Sequence, residues 1–351
     1  MRNTFFGQTH DGRATRLYAL SNQCGLEVVL RDFGATIASL KVPDRAGRVE
    51  DVVLGHVSLA EYEHGRFFVG GTIGRHANRI ARGEFMLNGM KHIVSRNAPP
   101  TIFTGFFFGF HKRLWKAESL TLDSGEGIGF SRVSPDGEEG FPGDLNVTVR
   151  FSVSAGNNDL VVDFNAASDR DTIVNFTTHP YFNLAGFRGR DVLGHQLRIN
   201  ARRYAPVDAN MIPAGELRDV ANSPFDFTRL TEIGARIDAD DPQLQLAGGY
   251  DHNWALDPDA AEHRAPAAEL FEPISGRRLE IFTTEPGIQF YSGNGLDGSI
   301  VAKNGAACAR RGALCLESQH FPDSPNQPNF PSVILRQGSG FHSKTTYRFS
   351  L

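Results

Sequence analysis

The sequence predicts an all-β protein, a large antiparallel β-sandwich with few short helices. Three observations carry this prediction. Leu145, Val147, Val149, Phe151 and Val153 alternate strictly with Asn146, Thr148, Arg150 and Ser152, the period-2 pattern of a strand with one face buried. Two strand-like runs, 84–87 and 90–94, flank Asn88-Gly89, a two-residue hairpin signal because both turn positions require positive φ. Glycine is abundant, at 37 of 351 residues, against an average near 7%, and phenylalanine reaches 27. Many strands joined by tight turns account for such a composition.

Taken in order, 26–30, 36–42 and 52–54 read as strands, separated by Gly34 and by the turn at 44–47. The hairpin at 84–94 follows, then the alternating run. Gly156-Asn157-Asn158-Asp159 forms a turn, 160–164 runs back, and 172–176 supplies a further strand. Helical patterning is scarce; its best segment is 230–237. Neither a linker nor a repeat of fixed period interrupts the chain, so one domain spanning 1–351 is expected.

Composition removes several function classes. The 36 Lys and Arg against 40 Asp and Glu leave a net charge of −4, whereas an electrostatic nucleic-acid binder needs a basic surplus. No run of about 18 apolar residues suggests a membrane span. The opening MRNTFFGQTHDGR lacks the apolar stretch of a secretory signal, so a cytoplasmic protein is expected. Cys24, Cys308 and Cys315 are too few, and odd in number, for a disulfide framework. The twelve histidines show no metal-ligand spacing. Gly70-Gly71-Thr72-Ile73-Gly74 carries Val69 where a dinucleotide loop needs its first glycine, and no βαβ pattern surrounds it.

Four segments are unusually polar for a β-protein: 74–80 (GRHANRI), 178–184 (THPYFNL), 249–254 (GYDHNW) and 316–326 (LESQHFPDSPN). With the landmarks 134–143 (SPDGEEGFPG) and 285–291 (EPGIQFY), they lie in order along nearly the whole chain. Together they closely resemble the aldose 1-epimerase (galactose mutarotase) family. The resemblance implies a large antiparallel β-sandwich that binds a free aldose and interconverts its α and β anomers. A base takes the proton of the anomeric hydroxyl while an acid protonates the ring oxygen, the ring opens, and closure gives the other anomer. No metal or organic cofactor is required. By this resemblance Glu317 is the general base and His179 the general acid. Arg79, Asn78, Asp251 and Gln289 are the ligands of the sugar hydroxyls. Tyr181, Phe182, Trp254 and Tyr291 are read as core aromatics. The partner implied is a free monosaccharide of the galactose or glucose type, bound by a monomer or homodimer.

One segment departs from the family pattern. A Pro-Asn-His-Leu-His-Gly-Gly stretch usually supplies a second site histidine before Gly-Phe-His-Lys. Here 100–106 reads PTIFTGF and 107–112 reads FFGFHK, with Thr104 where that histidine is expected. Thr104 is retained as a substrate-binding candidate, although it cannot act as a cation. Generic codons for 99–105, read from the third base of each triplet, can give Pro-Asn-His-Leu-His-Gly in register. A compensated local frameshift is therefore one origin of Thr104 and of the Phe106–Phe108 run, and a genuine substitution is the other. Two further readings follow: a carbohydrate-binding or sensing protein weakened by Thr104, and a sugar-phosphate epimerase using Arg75, Arg79 and Arg82.

Overall fold

The structure, a computed structural model, describes residues 2–96, 109–122 and 125–351. The alternating run forms the strand Leu145–Ser154, and its five apolar residues are the buried ones. It sits in a nine-stranded antiparallel sheet between Gly125–Ser134 and Asp159–Ser168. From Asp159–Ser168 the order continues through Gly340–Ser350, Arg278–Thr283, Ala268–Phe271 and Gln196–Ile199 to Thr231–Glu232; Lys116–Leu122 forms the opposite edge. The last strand of the chain thus lies inside the sheet, paired on both sides with strands distant in sequence. A separate five-stranded meander holds Arg2–Gln8, Ala14–Ser21, Glu27–Arg31, Thr36–Pro43 and Val49–Asp51 in sequence order.

A third sheet positions the polar segments. Its order is Arg218–Asp219, Arg203–Ala205, Asp251–Ala255, Gly287–Tyr291 and Cys315–Gln319, all antiparallel. Strand alternation divides its residues between two faces. Trp254, Ile288, Phe290 and Leu316 enter the main hydrophobic core with Val149, Phe151, Leu160 and Ile281 of the nine-stranded sheet. Burying each such large side chain is worth about 1.5–3 kcal/mol. The opposite face carries Asp251 and Asn253, Gln289 and Tyr291, and Cys315, Glu317 and Gln319, set side by side by the register Asn253↔Gln289↔Glu317.

Three expected elements differ. In place of a strand at 52–54, the strand is Val49–Asp51. The Asp51 carboxylate accepts from Leu40 N and Val53 N and from the Ser39 hydroxyl, and beyond it the backbone of 52–54 bonds to Leu40, Tyr181 and Asn183, with an isolated bridge from Val53 to Phe182. The strand expected at 172–176 stops at Ile173. Asn175 instead holds the chain with its side chain, donating to the carbonyls of Ala77 and His320 and accepting from His320 N. No α-helix forms at 230–237. Thr231–Glu232 pairs with Gln196 and Leu197, and only a 3-10 turn, Ile233–Ala235, follows. Among the described residues the α-helices are Leu59–His64, Pro242–Ala247 and Pro258–Ala261. The first starts at a capping box of Ser58 and Glu61, and the second at the Asp241 cap followed by proline.

Candidate active site

Glu317 is the central residue of Cys315–Gln319 and faces away from the core. Short pairing of Thr177–Thr178 with Thr72–Ile73 brings His179 to the same place and sets the 74–79 loop beside it. His179 Nε2 lies 3.5 Å from Glu317 Oε1. The imidazole is stacked on Tyr181, with ring centroids 5.0 Å apart, and Phe68 lies 5.9 Å away. Its other nitrogen, Nδ1, lies 3.4 Å from Cys315 Sγ.

A polar chain runs alongside this pair. Asp251 accepts from Arg79 Nη2 at 3.0 Å through one oxygen and from Gln289 Nε2 at 2.6 Å through the other. Asn78 Oδ1 accepts from Arg79 N at 2.9 Å and from Arg79 Nη1 at 3.3 Å. Asn78 does this with φ of +65°, a left-handed backbone that asparagine tolerates better than most residues. Glu317, His179, Arg79, Asn78 and Asp251 open on one cavity of about 410 Å³, walled by Phe67, Phe68, Tyr181 and Tyr291. That volume suits a small polar molecule.

Burial tunes the two central groups in opposite directions. It pushes the Glu317 carboxyl well above the usual carboxylate range; the nearby Asp251 charge adds to the rise, and Arg79 opposes it. It lowers His179 to about 4, so the imidazole is neutral at neutral pH. Desolvation always disfavours the charged form, which raises an acid and lowers a base. Among the described residues, Glu317 Oε2 and Gln289 Oε1 are buried without a hydrogen-bond partner. Such atoms are costly when dry.

Residues 16–348 match the family model of aldose 1-epimerase. The chain belongs to the aldose 1-epimerase family. It is 39% identical over 350 residues to a galactose mutarotase of Mus musculus, covering 99% of this chain and 98% of that protein. It is 36% identical over 341 residues to the aldose 1-epimerase of Escherichia coli K12, covering 97% and 96%. An aldose epimerase homologue from C. elegans superposes with a TM-score of 0.86 at 28% identity, over 96% of this chain and 99% of that one. The large β-rich fold expected from the family resemblance is the fold observed.

The structure brings Glu317, His179, Arg79, Asn78 and Asp251 to the cavity; Gln289 does not line it and reaches it only by its hydrogen bond to Asp251. Thr104 and Phe106–Phe108 lie outside the described residues. Phe182 and Trp254 are core residues. Tyr181 and Tyr291, read from sequence as core, belong to or pack against a hydrophobic cluster and also line the cavity. For Tyr291 the strand period was the available signal, since it stands two residues from Gln289 in Gly287–Tyr291; Tyr181 follows its strand and has no such period. Phe67, Phe68 and Asn294 also line the cavity and come from loops with no motif to mark them. The three arginines do not converge on a phosphate pocket. Arg75 is buried and spends its donors on Ser134 O, Pro135 O and Pro142 O; Arg79 is tied to Asp251; Arg82 occupies a left-handed turn. The sugar-phosphate and non-catalytic readings find no support in these relatives or in this geometry.

Proposed function

We propose that this protein is an aldose 1-epimerase that interconverts the α and β anomers of a free aldohexose of the galactose or glucose type. The juxtaposition of Glu317 and His179, 3.5 Å apart at one cavity, carries the reading. Glu317, as carboxylate, takes the proton of the anomeric hydroxyl. His179 gives its Nε2 proton to the ring oxygen, the bond from the anomeric carbon to that oxygen breaks, and the aldehyde forms. Because a neutral imidazole is the donor, its proton must be replaced at once. Glu317 holds the proton just taken and stands beside Nε2, so the pair returns to its starting state without an imidazolate. Rotation about the bond next to the aldehyde presents its other face, and the same steps in reverse close the ring. A raised carboxyl pKa makes Glu317 a stronger base than an exposed glutamate. Arg79, Asn78, Asp251 and Gln289 orient the remaining hydroxyls, and Tyr181 and Tyr291 keep water from the pair. One domain spanning 1–351 carries the site.

Polarimetry on freshly dissolved α-D-glucose and α-D-galactose tests this. The protein accelerates the approach to anomeric equilibrium beyond the buffer rate. A rate equal to buffer, with sugar still bound by calorimetry, overturns the catalytic reading in favour of a binding protein.

A further inference from the structure

The strand Cys315–Gln319 addresses both nitrogens of the His179 ring. Cys315 and Glu317 are two residues apart and therefore point to the same face. The first meets Nδ1 at 3.4 Å and the second meets Nε2 at 3.5 Å. Tyr181 and Phe68 cover the ring, which limits its tilt but leaves its rotation in the plane, and its choice of tautomer, to be set by other contacts. The thiol is the side chain placed to set them, beside a bond from the ring to the backbone of His179 itself. Cys315 is wholly buried among Tyr181, Tyr291, Cys308 and Ala313. Burial, with the nearby Glu317 and Asp251 charges, raises its pKa well above the usual thiol value, so it remains S–H at ordinary pH.

We propose that Cys315 is a positioning residue for His179: its S–H donates to Nδ1 and thereby keeps the ring proton on Nε2, the nitrogen beside Glu317. A neutral imidazole carries one proton on either nitrogen, and the hydrogen bond made by one nitrogen decides the state of the other. With the thiol as donor, Nδ1 is an acceptor, and the proton sits where the ring oxygen of the sugar needs it. Without the thiol, part of the population carries the proton on Nδ1, the side away from Glu317, and is inactive. This inference rests on His179 being the proton donor in the proposed reaction.

The test combines kinetics with ¹⁵N-histidine NMR, the His179 signals being assigned by their loss in His179→Asn. In the wild-type protein at neutral pH, Nε2 is protonated and Nδ1 is not. Cys315→Ser keeps a donor of similar shape and retains both this tautomer and the rate. Cys315→Ala, and the bulkier Cys315→Val, lower kcat roughly 3- to 10-fold, the size of one neutral hydrogen bond, with KM little changed. Both shift the His179 signals toward the Nδ1–H form. Wild-type protein with the proton on Nδ1 overturns the proposal, even where the variants fail to fold. So does a Cys315→Ala protein with unchanged tautomer and kcat. Full activity in His179→Asn instead refutes the acid role of His179, while the tautomer measurement stands apart from that outcome.

Discussion

Replacing Glu317 by glutamine separates the chemical role of this side chain from its structural cost. The change is isosteric and removes the base while leaving the strand and its pairing with Gln289 intact. A positioned general base contributes about 10²- to 10⁴-fold, equivalent to about 3–5 kcal/mol of barrier. Among the described residues, Asp251 is the other carboxylate at the cavity, and both its oxygens already accept from Arg79 and Gln289; His179 is the proposed proton donor. Polarimetry should therefore show kcat reduced at least 100-fold. Stability should move the other way. The folded state holds the Glu317 proton more tightly than the unfolded chain does. As pH rises past the usual carboxylate pKa, the unfolded state releases its proton first, and the folded state loses stability relative to it. At neutral pH the glutamine variant should thus melt higher than wild type, and the gap should close at pH values below the ordinary carboxylate pKa. A variant within tenfold of the wild-type rate refutes the base assignment. One that melts lower at neutral pH refutes the account of a strained, desolvated carboxyl. Because the pair works as a unit, the double variant with His179→Asn should lose no more activity than the worse single one.

Asp251→Asn removes a like charge that helps to raise Glu317; the base then deprotonates more easily, and the acidic limb of the kcat/KM profile should move to lower pH, as read by polarimetry across pH. Arg79→Lys keeps the charge but loses the planar fork that reaches Asp251 and Asn78 together; KM should rise about 10-fold, while the acidic limb stays in place. Thr104→His restores the imidazole expected from the family pattern and should raise kcat/KM about 10-fold or more, the worth of a charged hydrogen bond; an unchanged value would show that the position contributes nothing.

What could be read from the sequence follows how local each feature is. Leu145–Ser154 declares itself through its own alternation, and the hairpin Glu84–Leu87 with Met90–Ile93 through its Asn-Gly turn. The misjudged elements are set by distant partners. Ile173 ends its strand because Asn175 is engaged by Ala77 and His320. Residues 230–237 do not become an α-helix because Thr231–Glu232 extends a sheet edge. Each polar site segment was visible, but their convergence depends on Asp251–Ala255, Gly287–Tyr291 and Cys315–Gln319 lying side by side, a pairing across long separations. The rule that large aromatics fill cores holds for Tyr181 and for Tyr291 packed beside it, but it does not reveal that both also line the cavity. Phe68 could not be placed at all, since its φ of +55° is imposed by the surrounding fold and not by its own preference.

Burial shapes how a carboxylate and an imidazole would act in the proposed reaction. In water a glutamate is a weak base, and a histidine is partly cationic near neutral pH. A cation beside Glu317 would form a tight ion pair and weaken the base. Burial is one physical cause that acts on two groups of opposite type: it raises Glu317 and keeps His179 uncharged at neutral pH. Neutral His179 cannot neutralise Glu317, so the carboxylate keeps its affinity for the anomeric proton, and the Nε2 proton remains free to move to the ring oxygen. The polar groups proposed to recognise the sugar, Arg79, Asp251 and Gln289, are meanwhile bonded to one another. That arrangement confines their charge and leaves the catalytic pair as the reactive part of the site.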